Sequence, residues 1–172
     1  MPSAEFTQYL SDMATLVDKA LNKFLPAEKV APQTIHKAMR YSIFAGGKRL
    51  RPILCLAAAE ACGGDAAKAM PAACAVEILH TYSLVHDDLP CMDDDDLRRG
   101  RPTCHKVFGD GMAVLCGDAL LTESFLILAQ TPATPRYKVD TFIKELALTS
   151  GSRHLIGGQV MDLEGEGKSL TK

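Results

Sequence analysis

EILHTYSLVHDDLPCMDDDDLRRGRPTCH, residues 77–105, is the stretch that organises the rest of the chain. Its first half is apolar and lacks strict alternation. Joined to the Ala- and Val-rich run upstream, it predicts a buried helix over residues 65–88. Pro90 removes a backbone donor and disfavours helical geometry at Leu89, so the helix must stop there. Residues 89–108 then read as a charged loop. Asp87, Asp88, Asp93, Asp94, Asp95 and Asp96 put six carboxylates within ten residues.

Carboxylates at the C-terminal end of a helix meet the negative end of its dipole, at a cost of a few tenths to about 1 kcal/mol each. Their mutual repulsion adds to that. A divalent cation removes both penalties, and hard oxygen ligands without a nearby Cys or His pair suit magnesium. The bland alternative is a solvated acidic loop. Arg98, Arg99 and Arg101 follow at once, however, and a diphosphate needs metal and guanidinium donors together. The D-x-[DN]-x-[DN]-G pattern of a calcium loop is absent. Cys91 lies between the carboxylates, whose charge suppresses a thiolate, so it reads as a filler.

A basic turn lies upstream, at Gly46-Gly47-Lys48-Arg49-Leu50-Arg51-Pro52. Its glycines allow close approach of backbone to a ligand, and its cations open a helix whose first amides favour anions. Lys48 and Arg51, three apart, can share a face. His80 lies two helical turns before Asp87 on nearly the same face and could donate to a second diphosphate; a histidine bonded within the core is the plain alternative. Gly167-Lys168-Ser169 has the look of a P-loop end, but the required first glycine would fall at Asp162 and no apolar strand precedes it.

The remaining chain extends the helical pattern. Apolar residues recur at helical spacing from Phe6 to Phe24, a second helix runs from Pro32 to about Phe44, and a third from Ile53 to Cys62. Further helices are predicted over 110–130 and 139–156, with a polar loop from Gly157 onward. The fold class is all-α, a helical bundle in a single domain spanning 1–172. With Lys+Arg 19 against Asp+Glu 21, the net charge of −2 gives no reason to expect a nucleic-acid or membrane-surface binder. No apolar run approaches the roughly 20 residues of a membrane span. Cys55, Cys62, Cys74, Cys91, Cys104 and Cys116 contain no C-x-x-C spacing. Free thiols and an acidic N-terminal segment without signal character point to a reducing cytoplasm.

The segments GGKRLRP (46–52), EILHTYSLVHDDLPCMDDDDLRRGRPTCH (77–105), GDALL (117–121) and GGQVMDL (157–163) resemble the trans-prenyl diphosphate synthases, and within them the bacterial farnesyl type. The resemblance implies a magnesium-dependent prenyltransferase of the isoprenoid synthase fold, of which this chain is the N-terminal part. Such an enzyme condenses dimethylallyl or geranyl diphosphate with isopentenyl diphosphate. The resemblance makes Asp87 and Asp93 metal ligands with Asp88 beside them, and Arg98 the binder of the allylic diphosphate. Lys48, Arg51, His80 and Arg99 look like the isopentenyl diphosphate site. Gln159 and Asp162 match a Gln-x-x-Asp segment facing the same cavity. A homodimer is the family expectation.

The family also has a second aspartate-rich motif, and this sequence contains none: after Asp96 no two acidic residues are adjacent. A non-catalytic diphosphate-binding fragment is therefore one alternative function. A geranylgeranyl synthase is another, and a calcium-binding interaction module a third. Tyr82 lies five residues before Asp87, about 7.5 Å along a helix, where a phenol would floor the space for a growing chain. A core aromatic with its hydroxyl satisfied is the alternative there.

Overall fold

The computed structural model describes residues 3–168, and the chain divides into two compact units between Pro132 and Ala133. The first unit holds α1 (Ala4–Phe24), α2 (Gln33–Ile43), α3 (Leu50–Ala61), α4 (Ala66–Asp87), α5 (Cys104–Phe108) and α6 (Asp110–Leu128). A small antiparallel hairpin, β1 (Leu97–Arg98) and β2 (Arg101–Pro102), lies between α4 and α5, with Leu97 opposite Pro102 and Arg98 opposite Arg101. The all-α class expected from sequence is what the chain adopts.

Helix α4 is the centre of this unit. Ala73, Cys74, Ala75, Ile78, Leu79, Tyr82 and Val85 bury several of its faces, so it has no single apolar stripe. Asp65 caps its start, accepting from the Ala67 amide at 2.8 Å. Helices α3 and α6 pack along α4, and α2 packs on α6. Gly117 lets α6 approach closely: a Cβ there would overlap the His86 ring. The core is completed by Val17 and Leu21 of α1, Ile43 of α2 and Leu56 of α3.

Several sequence expectations are corrected. Helix α3 starts at Leu50, three residues before Ile53, because Pro52 falls in the first turn, where no amide donor is needed. The stretch 89–108 is not only loop, since it contains the hairpin and α5. Helix α6, at 19 residues, is long and apolar enough by composition to cross a membrane, contrary to the expectation that no run is. It buries Cys116, Gly117, Leu120, Ser124 and Ile127 and carries Asp110, Asp118 and Glu123, as a core helix does.

The second unit holds α7 (Val139–Ser150) and α8 (Leu155–Gly165). The single helix expected over 139–156 breaks after Ser150, and the polar loop expected from Gly157 is helical through Gly165. Leu155, Ile156, Val160 and Leu163 recur at helical spacing, a signal hidden by the paired glycines and the acidic tail. Ser169, the last residue of the rejected P-loop match, lies outside the described residues.

Candidate active site

The first unit sets the acidic run at the end of α4 and the basic turn beside Glu77 and His80 of the same helix. Asp87 is the last residue of that helix and Asp88 its C-cap. The chain then folds back on itself. The Leu89 amide donates to the His86 carbonyl at 3.2 Å, the Asp93 amide to the Asp87 carbonyl at 2.8 Å, and the Asp94 amide to the Leu89 carbonyl at 3.1 Å. Asp94 takes a left-handed φ of 52° to complete the reversal. Two acids six positions apart are thereby held at one helix end.

The electrostatics match that placement. Burial, followed by the nearby Asp93, pushes the Asp87 carboxyl above the usual carboxylate range, and Asp88 adds to the effect. Among the described residues, neither Asp87 nor Asp93 takes part in a salt bridge. Asp88 differs from this pair. It is buried, and its Oδ1 accepts from Arg98 Nη2 at 2.5 Å and Nε at 2.6 Å. Arg98 also reaches Asp95 at 3.3 Å. Asp88 thus orients Arg98, and Asp87 and Asp93 are left as the carboxylate pair.

No group of three or more His, Cys, Asp or Glu side chains among the described residues forms a metal site. Magnesium does not need one. It is commonly held by one or two carboxylates together with waters and substrate phosphates. A raised, repelled Asp87 beside Asp93 fits that donor set.

The second cluster is cationic. Lys48, Arg51, His80 and Arg99, from three segments far apart in sequence, line one open cavity of about 630 Å³. Gly46 and Gly47 form its lip with φ values of 93° and 129°. A Cβ at Gly47 would overlap the Arg99 guanidinium, which lies against the turn and donates to the Gly46 carbonyl. Burial and then Arg49 lower the proton affinity of Arg99. Burial and then Arg51 push His80 below its ordinary range. Burial leads both shifts, the neighbouring arginines add to them, and Glu77 partly offsets them.

Arg99 also lines a small neighbouring cleft with Asp88, Arg98, Tyr41 and Thr81, and so joins the two clusters. The hairpin carrying Arg98 and Arg99 is pinned to α2: the Tyr41 hydroxyl donates to the Pro102 carbonyl at 2.7 Å, and the Arg101 guanidinium lies 4.6 Å from the Tyr41 ring centre. Cys91 is exposed on the acidic loop. Tyr82 is buried five residues before Asp87 on α4, its ring edge-on to His86 at 5.8 Å between centres. Gln159 and Asp162 lie on α8 of the second unit, three residues apart and so on one side of that helix.

Two residues of this region escape a sequence reading. Arg49 is almost fully buried, with a left-handed φ of 52°, and its guanidinium bonds Glu77 on α4. Glu77 is itself buried, and its place on the apolar side of a long helix was the available signal.

Comparison with known proteins gives the family. The polyprenyl synthetase family model matches residues 32–172. The chain belongs to the polyprenyl synthetase family. The large subunit 1 of a heterodimeric geranylgeranyl pyrophosphate synthase from Arabidopsis thaliana is 53% identical over 171 residues, which is 98% of this chain and 46% of that protein. A farnesyl diphosphate synthase from Geobacillus stearothermophilus is 46% identical over 176 residues, 99% of this chain and 58% of that one. Among solved structures, a geranyltransferase from Legionella pneumophila superposes with a TM-score of 0.90 at 34% identity, covering 96% of this chain and 59% of the other. The chain spans about half the length of the curated relatives it matches. This polyprenyl synthetase chain carries both the acidic and the basic segment of the site within its first unit.

Proposed function

We propose that this polyprenyl synthetase chain is part of a prenyltransferase that joins an allylic diphosphate to isopentenyl diphosphate and releases pyrophosphate. The observation that carries the reading is the meeting of Lys48, Arg51, His80 and Arg99 in one cavity, linked through Arg99 to the Arg98–Asp88 pair beside Asp87 and Asp93. Two anionic substrates need two cationic cradles, and this arrangement supplies them.

Lys48, Arg51 and Arg99 bind the isopentenyl diphosphate, and His80 contributes a ring N–H donor to it. Arg98, oriented by Asp88, binds the allylic diphosphate. Asp87 and Asp93 would hold magnesium, which acts as a Lewis acid on the leaving pyrophosphate. The allylic C–O bond breaks, the isopentenyl double bond forms the new C–C bond, and the released proton goes to pyrophosphate. The residues of this chain act by positioning and by charge. We take the two units as one synthase domain, since the family match runs across their division. The free state of all six cysteines supports a reducing, cytoplasmic setting. Exposed Val114, Leu115 and Leu126 on α6 support pairing with a second copy.

The product we assign is farnesyl diphosphate, because Tyr82 lies buried five residues below Asp87 on α4. A twenty-carbon product is the second reading, favoured by the 53% identical relative named for geranylgeranyl synthesis. Chromatography of the dephosphorylated products of the gene's enzyme tests both. Fifteen carbons are expected, shifting to twenty in Tyr82→Ala; an unchanged fifteen-carbon product from folded, active Tyr82→Ala would remove Tyr82 as the floor.

A further inference from the structure

We propose that Arg49 and Glu77 form the positioning base of the isopentenyl diphosphate cradle, holding the Gly46–Arg51 turn in its binding shape from beneath. The inference rests on the function proposed above. Lys48 and Arg51 are exposed and belong to a turn with two glycines, which on its own would sample many shapes. Arg49, between them, is the one residue of the turn whose side chain goes inward.

Its guanidinium is satisfied in three directions. Nη1 donates to Glu77 Oε1 at 2.8 Å, Nη2 to the Ile43 carbonyl at 2.7 Å, and Nε to Asp18 Oδ1 at 2.8 Å. The turn is thus tied to α4, to the end of α2 and to α1 at once. The Arg49–Glu77 pair is buried, with side chains 2% and 4% exposed. A single buried charge would be costly, and a pair with further hydrogen bonds holds a fixed geometry. The backbone agrees: Arg49 is the N-cap of α3 in a left-handed conformation, without a side-chain cap bond. A non-glycine residue keeps that conformation where surrounding contacts hold it. Glu77 also lines the cavity with His80, one helical turn away on the same face. It offsets part of the cationic charge there while leaving the exposed cations for the ligand.

Arginine is needed for its fork. A lysine keeps the charge but cannot bond three partners held at fixed angles. The test is calorimetric titration of the 172-residue chain with isopentenyl diphosphate and, separately, with geranyl diphosphate plus magnesium. In Arg49→Lys we expect isopentenyl diphosphate affinity to fall by about tenfold, the loss of one charged hydrogen bond's worth of order, with geranyl diphosphate affinity within about twofold. The paired replacement Arg49→Met/Glu77→Met keeps volume and leaves no lone buried charge, so it should fold and show the same selective loss. Equal affinities for isopentenyl diphosphate in wild type and Arg49→Lys, or in the folded double variant, would overturn the inference. Parallel loss for both ligands would do so too. If the unsubstituted chain bound geranyl diphosphate but no isopentenyl diphosphate, the cradle assignment and with it this inference would fall, while the allylic half of the proposed function would stand.

Discussion

Gly117→Ala tests how closely the end of α4 is held against α6. The glycine is buried in α6, and a Cβ there would overlap three atoms of the His86 imidazole. The ring must move. It then gives up the bond from Nε2 to the Val114 carbonyl at 3.0 Å, worth about 1 kcal/mol. It also gives up the edge contact with Tyr82, another ~1 kcal/mol. Alanine returns about 1 kcal/mol of helix propensity. The net expectation is a destabilisation of about 1 kcal/mol, or a fall in Tm of roughly 2–4 °C for a chain of this size. Gly111→Ala is the matched control. It lies in the same helix with nothing within 4 Å of the added Cβ, so it should be neutral or stabilising by a few tenths of a kcal/mol. Urea and thermal unfolding followed by far-UV circular dichroism measure both. Since His86 precedes Asp87, Gly117→Ala should also weaken the stabilisation that magnesium and inorganic pyrophosphate confer. Equal rises in Tm for the two variants would show that His86 does not clamp α4 to α6.

Asp87→Asn bears on the metal pair. Burial and Asp93 raise the folded-state carboxyl above its unfolded value, so its stabilising contribution is present at low pH and is lost as pH rises through the folded pKa. At pH 7 without metal the variant should therefore melt above wild type, the gap should close below the carboxylate range, and magnesium should raise the Tm of wild type alone; a variant less stable than wild type at pH 7 would refute this. For the two cradles, Lys48→Ala and Arg51→Ala should weaken isopentenyl diphosphate binding by about ten- to a hundred-fold, and Arg98→Ala the allylic diphosphate. Identical effects of all three on both ligands, measured by calorimetry, would dissolve the division. Thiol alkylation read by mass spectrometry should label exposed Cys62 and Cys91 first, and Cys74, whose burial pushes its pKa up to about 12, only in denaturant; early labelling of Cys74 would contradict the packing of α4.

The elements a sequence can announce are those whose cause is local. Pro90 stops α4 by its own ring, and Asp65 starts it by its own side chain, so both ends of that helix were legible within a residue. The acidic run and the basic turn were legible as chemistry because charge beside a buried helix demands a partner. Their meeting came only from the resemblance and not from spacing, because it depends on contacts such as the Asp93 amide on the Asp87 carbonyl and Arg99 on Gly46. Asp87 and Asp88 look alike by charge and spacing; the resemblance set Asp88 apart from the metal pair, and the fold supplies the physical reason. Asp88 is taken up by Arg98, and Asp87 is left with Asp93. Arg49 shows the same limit from the other side. The sequence offers no role for it between Lys48 and Arg51, and its charge is spent inward on Glu77, Asp18 and a helix carbonyl. A turn that must present two cations to an anion needs something to hold it before the anion arrives. The residue that does so has to be buried, multiply bonded and rigid, so its role is written in its tertiary partners and not in its neighbours along the chain.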